Sequence, residues 1–547
     1  MNMIRKVGEM PNIPSPFLMR DWNQVAQHYD ALVFDFEAKG DFLPFIWWDR
    51  SRSNEKRDTF GLPSYVGMDR GESGHEAINC VAALLGATLV GRDKSNQNSV
   101  NWVSMCENYY NTDNGEFLFL NSTRAESGRS FWYEIYPHVL LYSLSFYYPG
   151  LGRLDEIMHK TADRWYEACY ELGGKNGIPD FNHLSYNFQT KKPVDNGKWV
   201  EPEAAAGIAW LEYMAYSKWK DPKHLTAADW CMSFLEQSAN NPFYEILLPY
   251  GAYIAARMNA ELGRDYDVQK LINWCFDGDS HCRKGWGVIS ERWGDYDCHG
   301  LCGSLTDWGQ RWDLGPNPLF DEYKEDSSGY AFAANTFSLA AAFIPLVRYD
   351  TRFAKDIGKW MLNAANNARL FYPDALPKQQ QSCAFYRSDP NHVIAYEGLR
   401  KKWDDQSPYM TGDGIRYSWG CIDLGLYGSS HVGIFGGIIS QTNDPCILQL
   451  DCLKTDYFRD EAYPTYLYYN PYDLEKTVLI DVGQGLTDIY DAVSHVYIQK
   501  GARGETSLTL PPDSAVVVVL SPAEGSVRNQ GVKRLVNDVV VDYNTTM

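Results

Sequence analysis

The chain has 547 residues, with 50 Lys and Arg against 70 Asp and Glu, a formal net charge of -20. A surface this acidic repels phosphate backbones and anionic lipid, which argues against nucleic acid or a membrane as partner. Hydrophobic residues make up 45% and aromatic residues 14%, with 18 Trp and 37 Tyr, a composition that suits a large core and also an aromatic-lined cleft.

From the N-terminus, Met1-Asn2-Met3-Ile4-Arg5-Lys6 runs into Pro11, Pro14 and Pro16 and not into an apolar signal core. The 12 Cys form no repeating framework, and several sit in helical stretches, as at Cys80, Cys169 and Cys231. Reduced, buried thiols and a cytoplasmic setting are expected, although a trimmed exported chain would read the same way. Two kinds of helix then alternate. Segment 22–37 is amphipathic, with apolar residues three and four apart, and 72–90 is apolar nearly all round. The same alternation continues through 98–110 and 132–148, 154–172 and 203–216, 224–240 and 247–262, 268–276 and 330–347, and 352–370 and 431–440. Helices apolar on every side must be buried on every side. Six inner helices ringed by six outer ones make an (α/α)6 toroid, a mainly α fold, over residues 1–441. Connections from an inner helix to the next outer one are mostly short, as at 91–96 and 149–153. Those entering an inner helix are often long, as at 40–71, 173–201, 278–329 and 373–430. Long loops gathered on one face of a rigid scaffold are where function usually sits.

After Thr442 the pattern changes to short alternating runs at 446–453, 465–469, 476–481, 487–490, 496–498, 507–510 and 515–520, with a last one at 535–542. Asn470-Pro471, Gly483-Gln484-Gly485 and Pro511-Pro512-Asp513 punctuate them. Residues 442–547 therefore read as a small antiparallel β-sandwich. The helical layout, together with Tyr466-Leu467-Tyr468-Tyr469-Asn470-Pro471, Asp488-Ile489-Tyr490-Asp491 and Ala515-Val516-Val517-Val518-Val519-Leu520-Ser521-Pro522, resembles the six-hairpin glycosidase superfamily. The resemblance covers most of the chain as architecture and contains no signature of one catalytic family. It implies a glycoside hydrolase acting on oligosaccharides, with its cleft at the N-terminal ends of the inner helices.

Glycoside cleavage needs one carboxylic acid to protonate the leaving oxygen and one carboxylate as base or nucleophile. Glu201 and Glu203, around Pro202, open an inner helix, and a helix N-terminus favours the ionised form. Glu134 lies among aromatic rings in Phe131-Trp132-Tyr133-Glu134-Ile135-Tyr136, which favours the protonated form. First-turn dipole complementation and a buried hydrogen-bonded Glu are the plainer readings of these positions. Asp326, also a natural helix cap, Asp423 and Glu76 are reserve candidates. Substrate contacts are expected from Trp48, Asp49, His75 and Trp132. A loop rich in Trp, acids and glycines adds Trp293, Asp297, Trp308 and Trp312, and the last long loop adds Arg416. Core packing accounts for some of these Trp equally well. His183 and Tyr186 keep open a lyase or unsaturated-uronyl hydrolase acting on acidic sugars, and a non-catalytic carbohydrate-binding protein is the third reading. Cys298-His299-Gly300-Leu301-Cys302 matches no zinc pattern, and phosphate-loop and dinucleotide fingerprints are absent, so no metal or cofactor is expected.

Overall fold

The computed structural model describes residues 3–71, 74–283, 285–304, 310–311, 315–316, 329–403, 405–415 and 417–546. Helices dominate the first four-fifths of the chain and antiparallel sheets the rest. The inner series comprises α2 (Ala77–Leu89), α4 (Phe131–Tyr147), α6 (Ala204–Trp219), α8 (Leu248–Leu262), α10 (Ala333–Tyr349) and α13 (Val432–Ile438). Each packs against the next, and α13 packs back against α2, so the contacts close into a cycle. Outside them lie α1 (Trp22–Val33), α3 (Trp102–Met105), α5 (Leu154–Glu171), α7 (Pro222–Gln237), α9 (Val268–Asp277) and α11 (Ala354–Asn367). A further short helix, α12 (Leu426–Ser429), leads into α13.

Closure of the cycle depends on glycine. A Cβ on Gly433 of α13 would lie 2.2 Å from the Gly86 Cα of α2, and one on Gly86 would lie 2.9 Å from the Ser430 carbonyl. Two glycines let the last and first inner helices meet backbone to backbone.

Most outer helices start on a side-chain cap. Asp21 accepts from the Gln24 amide, Asn101 from Ser104, Asp221 from Lys223 and Asp267 from Lys270. Among the described residues, no inner helix has a cap from its own N-cap side chain. At α2, α4, α8 and α10 first amides are satisfied by neighbouring segments instead, and this difference shapes the site.

The structure differs from the periodicity in places. Segment 98–110 is not one long helix, because Asn98 and Ser99 take positive φ and the helix starts only after Asn101. Four residues of α and a 3₁₀ turn at Cys106–Tyr109 replace it. Tyr330–Phe332, expected as the first turn of α10, is a strand, pinned on both sides by Cys302–Ser304 and Gly398–Arg400. With Trp286–Val288 and Tyr409–Thr411 these make a five-stranded antiparallel sheet that joins two long loops, a feature periodicity did not suggest.

The C-terminal sheet begins at Ile439–Gln441, directly after α13, three residues ahead of the boundary expected at 442. Its central strand, Ser514–Pro522, is a near-unbroken Val run because both faces are covered. Val516, Val518 and Leu520 pack with Val478, Ile480 and Leu508 of a two-stranded sheet, while Ala515, Val517 and Val519 join the helical core beside α11. A buried ionic cluster ties the layers together. Asp456 accepts from Arg348 at 2.8 Å and from Tyr253 at 2.5 Å, and Arg257 donates to the Tyr457 and Phe458 carbonyls. No helix among the described residues is long and apolar enough to cross a membrane.

Candidate active site

A cleft of about 800 Å³ opens where the N-terminal ends of four inner helices converge. Its described lining includes Glu76 before α2, Trp132 and Tyr133 in the first turn of α4, Glu245 ahead of α8, and Phe332 and Asn335 at the start of α10. Tyr427 of α12 lines it too, and loops complete it with Ser64, Tyr65, Asp69, Glu397, Asp413 and Trp419.

Glu397 is held by the five-stranded sheet. Its carbonyl accepts the Ala333 amide at the start of α10, and its own amide donates to the Asp423 carbonyl. The side chain receives Tyr65 Oη at 2.7 Å and the Asp413 amide at 2.5 Å. Burial, reinforced by the Asp413 charge, pushes its pKa up to about 8 despite those bonds. Asp413 is in turn 3.6 Å from the Arg400 guanidinium.

Glu245 differs in its partners. Burial raises its pKa, but the paired Arg283 guanidinium and Asn335, 3.2 Å away, favour the charged form. Glu76 is the N-cap of α2 yet does not cap it, because Asn121 takes the Ala77 and Ile78 amides. Its carboxylate is left to accept from Ser64 and, at 2.7 Å, from Asn121. Desolvation raises the pKa of the Tyr427 phenol, and the charges of Tyr133, Glu76, Glu245 and Glu397 add to the rise. Trp132 stacks on Tyr136 with centroids 4.9 Å apart, and Trp419, half exposed and also lining the cleft, stacks on Tyr417 at 4.8 Å.

Of the carboxylates expected from sequence, Glu76 lines the cleft. Glu134, Glu201 and Glu203 lie behind its wall, each at most 3% exposed. Glu134 accepts the Gly128 and Arg129 amides and Ser185 Oγ. Glu201 accepts Ser130 Oγ and the Trp132 amide of α4. Glu203 gathers four amides, Glu245 to Leu248, at the start of α8. Glu201 and Glu203 accept amides at the starts of neighbouring helices and fix the backbone that presents Trp132 and Glu245, while Glu134 holds the amides just ahead of its own helix, α4. The expected divergence of acidities is absent, since burial raises both Glu134 and Glu203 to about 7 and outweighs the helix-start field at Glu203. Asp423 braces the Glu397 loop from behind, accepting from Ser382 Oγ and the Ile415 amide.

The expected binding residues scatter. Trp132 lines the cleft. His75 is buried between Asp49, at 2.8 Å, and Tyr109; burial alone would lower its pKa, but Asp49 carries it up to about 9. Trp48 stacks on Phe36 outside the cleft. Trp293 is fully buried on Glu291, and Asp297 binds His299 and Asn367 in the core. His183 pairs with Asp195, and Tyr186 lies beside a separate surface hollow with Arg164 and Lys191. Trp308, Trp312, Asp326 and Arg416 lie outside the described residues. Glu245 and Glu397 were missed by sequence reasoning. Neither falls within a helix, and their signal was only position, just ahead of an inner helix and inside the longest loop.

No protein-family model and no curated protein matches the chain. Two of the solved structures that resemble it do so at low TM-score. One, described as a glycoside hydrolase, is 10% identical over 72% of each chain, with a TM-score of 0.28. The other, a GH127 β-L-arabinofuranosidase from Geobacillus stearothermophilus T6, is 12% identical over 96% of this chain and 85% of its own, with a TM-score of 0.29. Likeness of this size adds no weight to the site described above, which stands on its geometry.

Glu134→Gln separates a cap from a catalyst. It keeps an acceptor for the loop amides but swaps one oxygen for a donor. The expected cost is about 1–3 kcal/mol of stability, with kcat/KM kept within about tenfold. Thermal melting and steady-state kinetics on the same preparation check it.

Proposed function

We propose that the protein is a glycoside hydrolase acting on oligosaccharides in this cleft. Its helical part, 1–441, is an (α/α)6 toroid, and 442–547 is a β-sandwich that buttresses it. The observation that carries the reading is that Glu76, Glu245 and Glu397 line one cleft with Trp132 and Trp419, and that the cleft is large enough for sugar rings. Glu397, with its pKa near 8, is protonated at neutral pH and acts as general acid toward the glycosidic oxygen. Glu245, paired with Arg283, supplies the carboxylate that serves as base or nucleophile. Glu76 and Asn335 bind hydroxyls, and the indoles take the apolar faces of the rings. Proton delivery and carboxylate assistance need no cofactor.

The polar chemistry of the cleft favours hydrolysis over elimination. A lyase needs a cationic or amide group to neutralise a uronate; the described lining contains no Arg or Lys, and its one amide side chain, Asn335, donates to Glu245. The Tyr and His considered for that role, Tyr186 and His183, are not among its lining residues. The test is a panel of neutral and uronate-containing oligosaccharides, assayed for new reducing ends and for ultraviolet absorbance of unsaturated products. New reducing ends from neutral sugars without that absorbance support the proposal. Unsaturated products from uronates would replace it with the lyase reading.

A further inference from the structure

The outer surface holds a second constellation, away from the cleft. His159 and Asp163, one helical turn apart, project from the same face of α5, and His224 comes from the first turn of α7. One ligand atom from each lies within 4.8 Å of the others. His224 is fully buried, and its Nδ1 is 2.6 Å from the equally buried Glu212 carboxylate of α6. Its Nε2 is buried without a hydrogen-bond partner and faces Asp163 Oδ1 at 3.7 Å. Nε2 is thus an unpartnered ring nitrogen facing a carboxylate oxygen whose cationic neighbour is Lys223 at 2.7 Å, and a metal ion in place of that ammonium would satisfy both.

The surroundings supply the remaining features of a metal centre. A carboxylate on the far nitrogen of a ligating His fixes tautomer and ring orientation, as Glu212 does here. His159 is exposed and sits edge-on to Trp219, with centroids 4.8 Å apart. Locally, Asp163, Glu212 and Asp221 face a single ammonium, Lys223, whose Nζ is 2.7 Å from Asp163 and 3.3 Å from Asp221. That side chain is one-third exposed and can swing to solvent when a metal takes the carboxylate.

We propose that His159, Asp163 and His224 bind a divalent transition metal, zinc by choice of ligands, with an open fourth position. The ion links α5 to α7 and so staples two neighbouring helical hairpins. Its role is structural, since none of the three residues lines the cleft.

The test uses the full chain without an affinity tag, stripped with chelator, then incubated with zinc sulfate and dialysed. Metal per chain is read by atomic emission, melting by calorimetry, and the cobalt-substituted protein by its visible absorption. The parent is expected to retain one zinc, to melt about 2–3 °C higher at a hundredfold excess over Kd, and to show the intense bands of low-coordinate cobalt. His159→Ala and Asp163→Asn, both at solvent-reachable positions, are expected to lose all three while keeping hydrolytic activity. Failure of the parent to retain zinc would mean that a proton on His224 supplies the charge, and the proposal falls. Equal zinc retention in parent and variants would overturn it as well, by placing the metal elsewhere.

Discussion

Glu397→Gln is expected to lower kcat on a natural oligosaccharide by about a hundredfold or more, with circular dichroism unchanged. The amide keeps the size of the side chain and its acceptor for Tyr65 but has no acidic proton to give. The loss should depend on the leaving group. A nitrophenyl glycoside departs without protonation, so the same variant should lose far less on it. The pH profile follows from the sign of the shift. The acid is active while protonated, so parental kcat/KM should fall as pH rises through about 8, and that alkaline limb should be missing from the residual activity of the variant. Equal losses on natural and activated substrates would assign Glu397 to structure.

Asp456→Ala is expected to have the largest effect on stability. Asp456 is buried beneath Arg348, Arg257, Tyr253 and Tyr349, where the inner helices meet the segment entering the C-terminal sheet. Removing the carboxylate strands two guanidiniums in the core, of which Arg257 keeps an ion pair with Glu261 at 3.0 Å. Breaking a buried pair from one side costs about 3–5 kcal/mol, which a chemical denaturation midpoint reads directly. A midpoint equal to the parent's would show that the cluster contributes nothing net.

Much of the helical layout was legible because two burial patterns differ sharply. Helices apolar all round, such as α10, and amphipathic ones, such as α5, announce their layer in sequence. The five-stranded sheet was not legible. Its strands are three residues each and are drawn from two distant loops, so pairing partners and not local pattern decide them. The candidate site was only partly legible for a related reason. Glu134, Glu201 and Glu203 carry the expected marks of helix-start acids, and they do bind at helix starts, Glu134 at that of its own helix and the other two at those of neighbouring helices. Residues that face the cleft, such as Glu245 and Glu397, are presented by loops whose geometry those caps enforce. One cannot read from sequence which of two acids, Glu203 or Glu245, turns inward when the first holds the amide of the second. The His159, Asp163 and His224 group was hidden in the same way, since only the packing of α5 against α7 brings it together.

The most direct test of the central claim is a crystal structure of Glu397→Gln soaked with an oligosaccharide that the parent cleaves. The account predicts a sugar ring against Trp132 or Trp419, its glycosidic oxygen within hydrogen-bond distance of the residue 397 amide, and the anomeric carbon facing Glu245. An oligosaccharide bound instead beside Tyr186, or in the cleft with its scissile bond turned away from both residues, would contradict it.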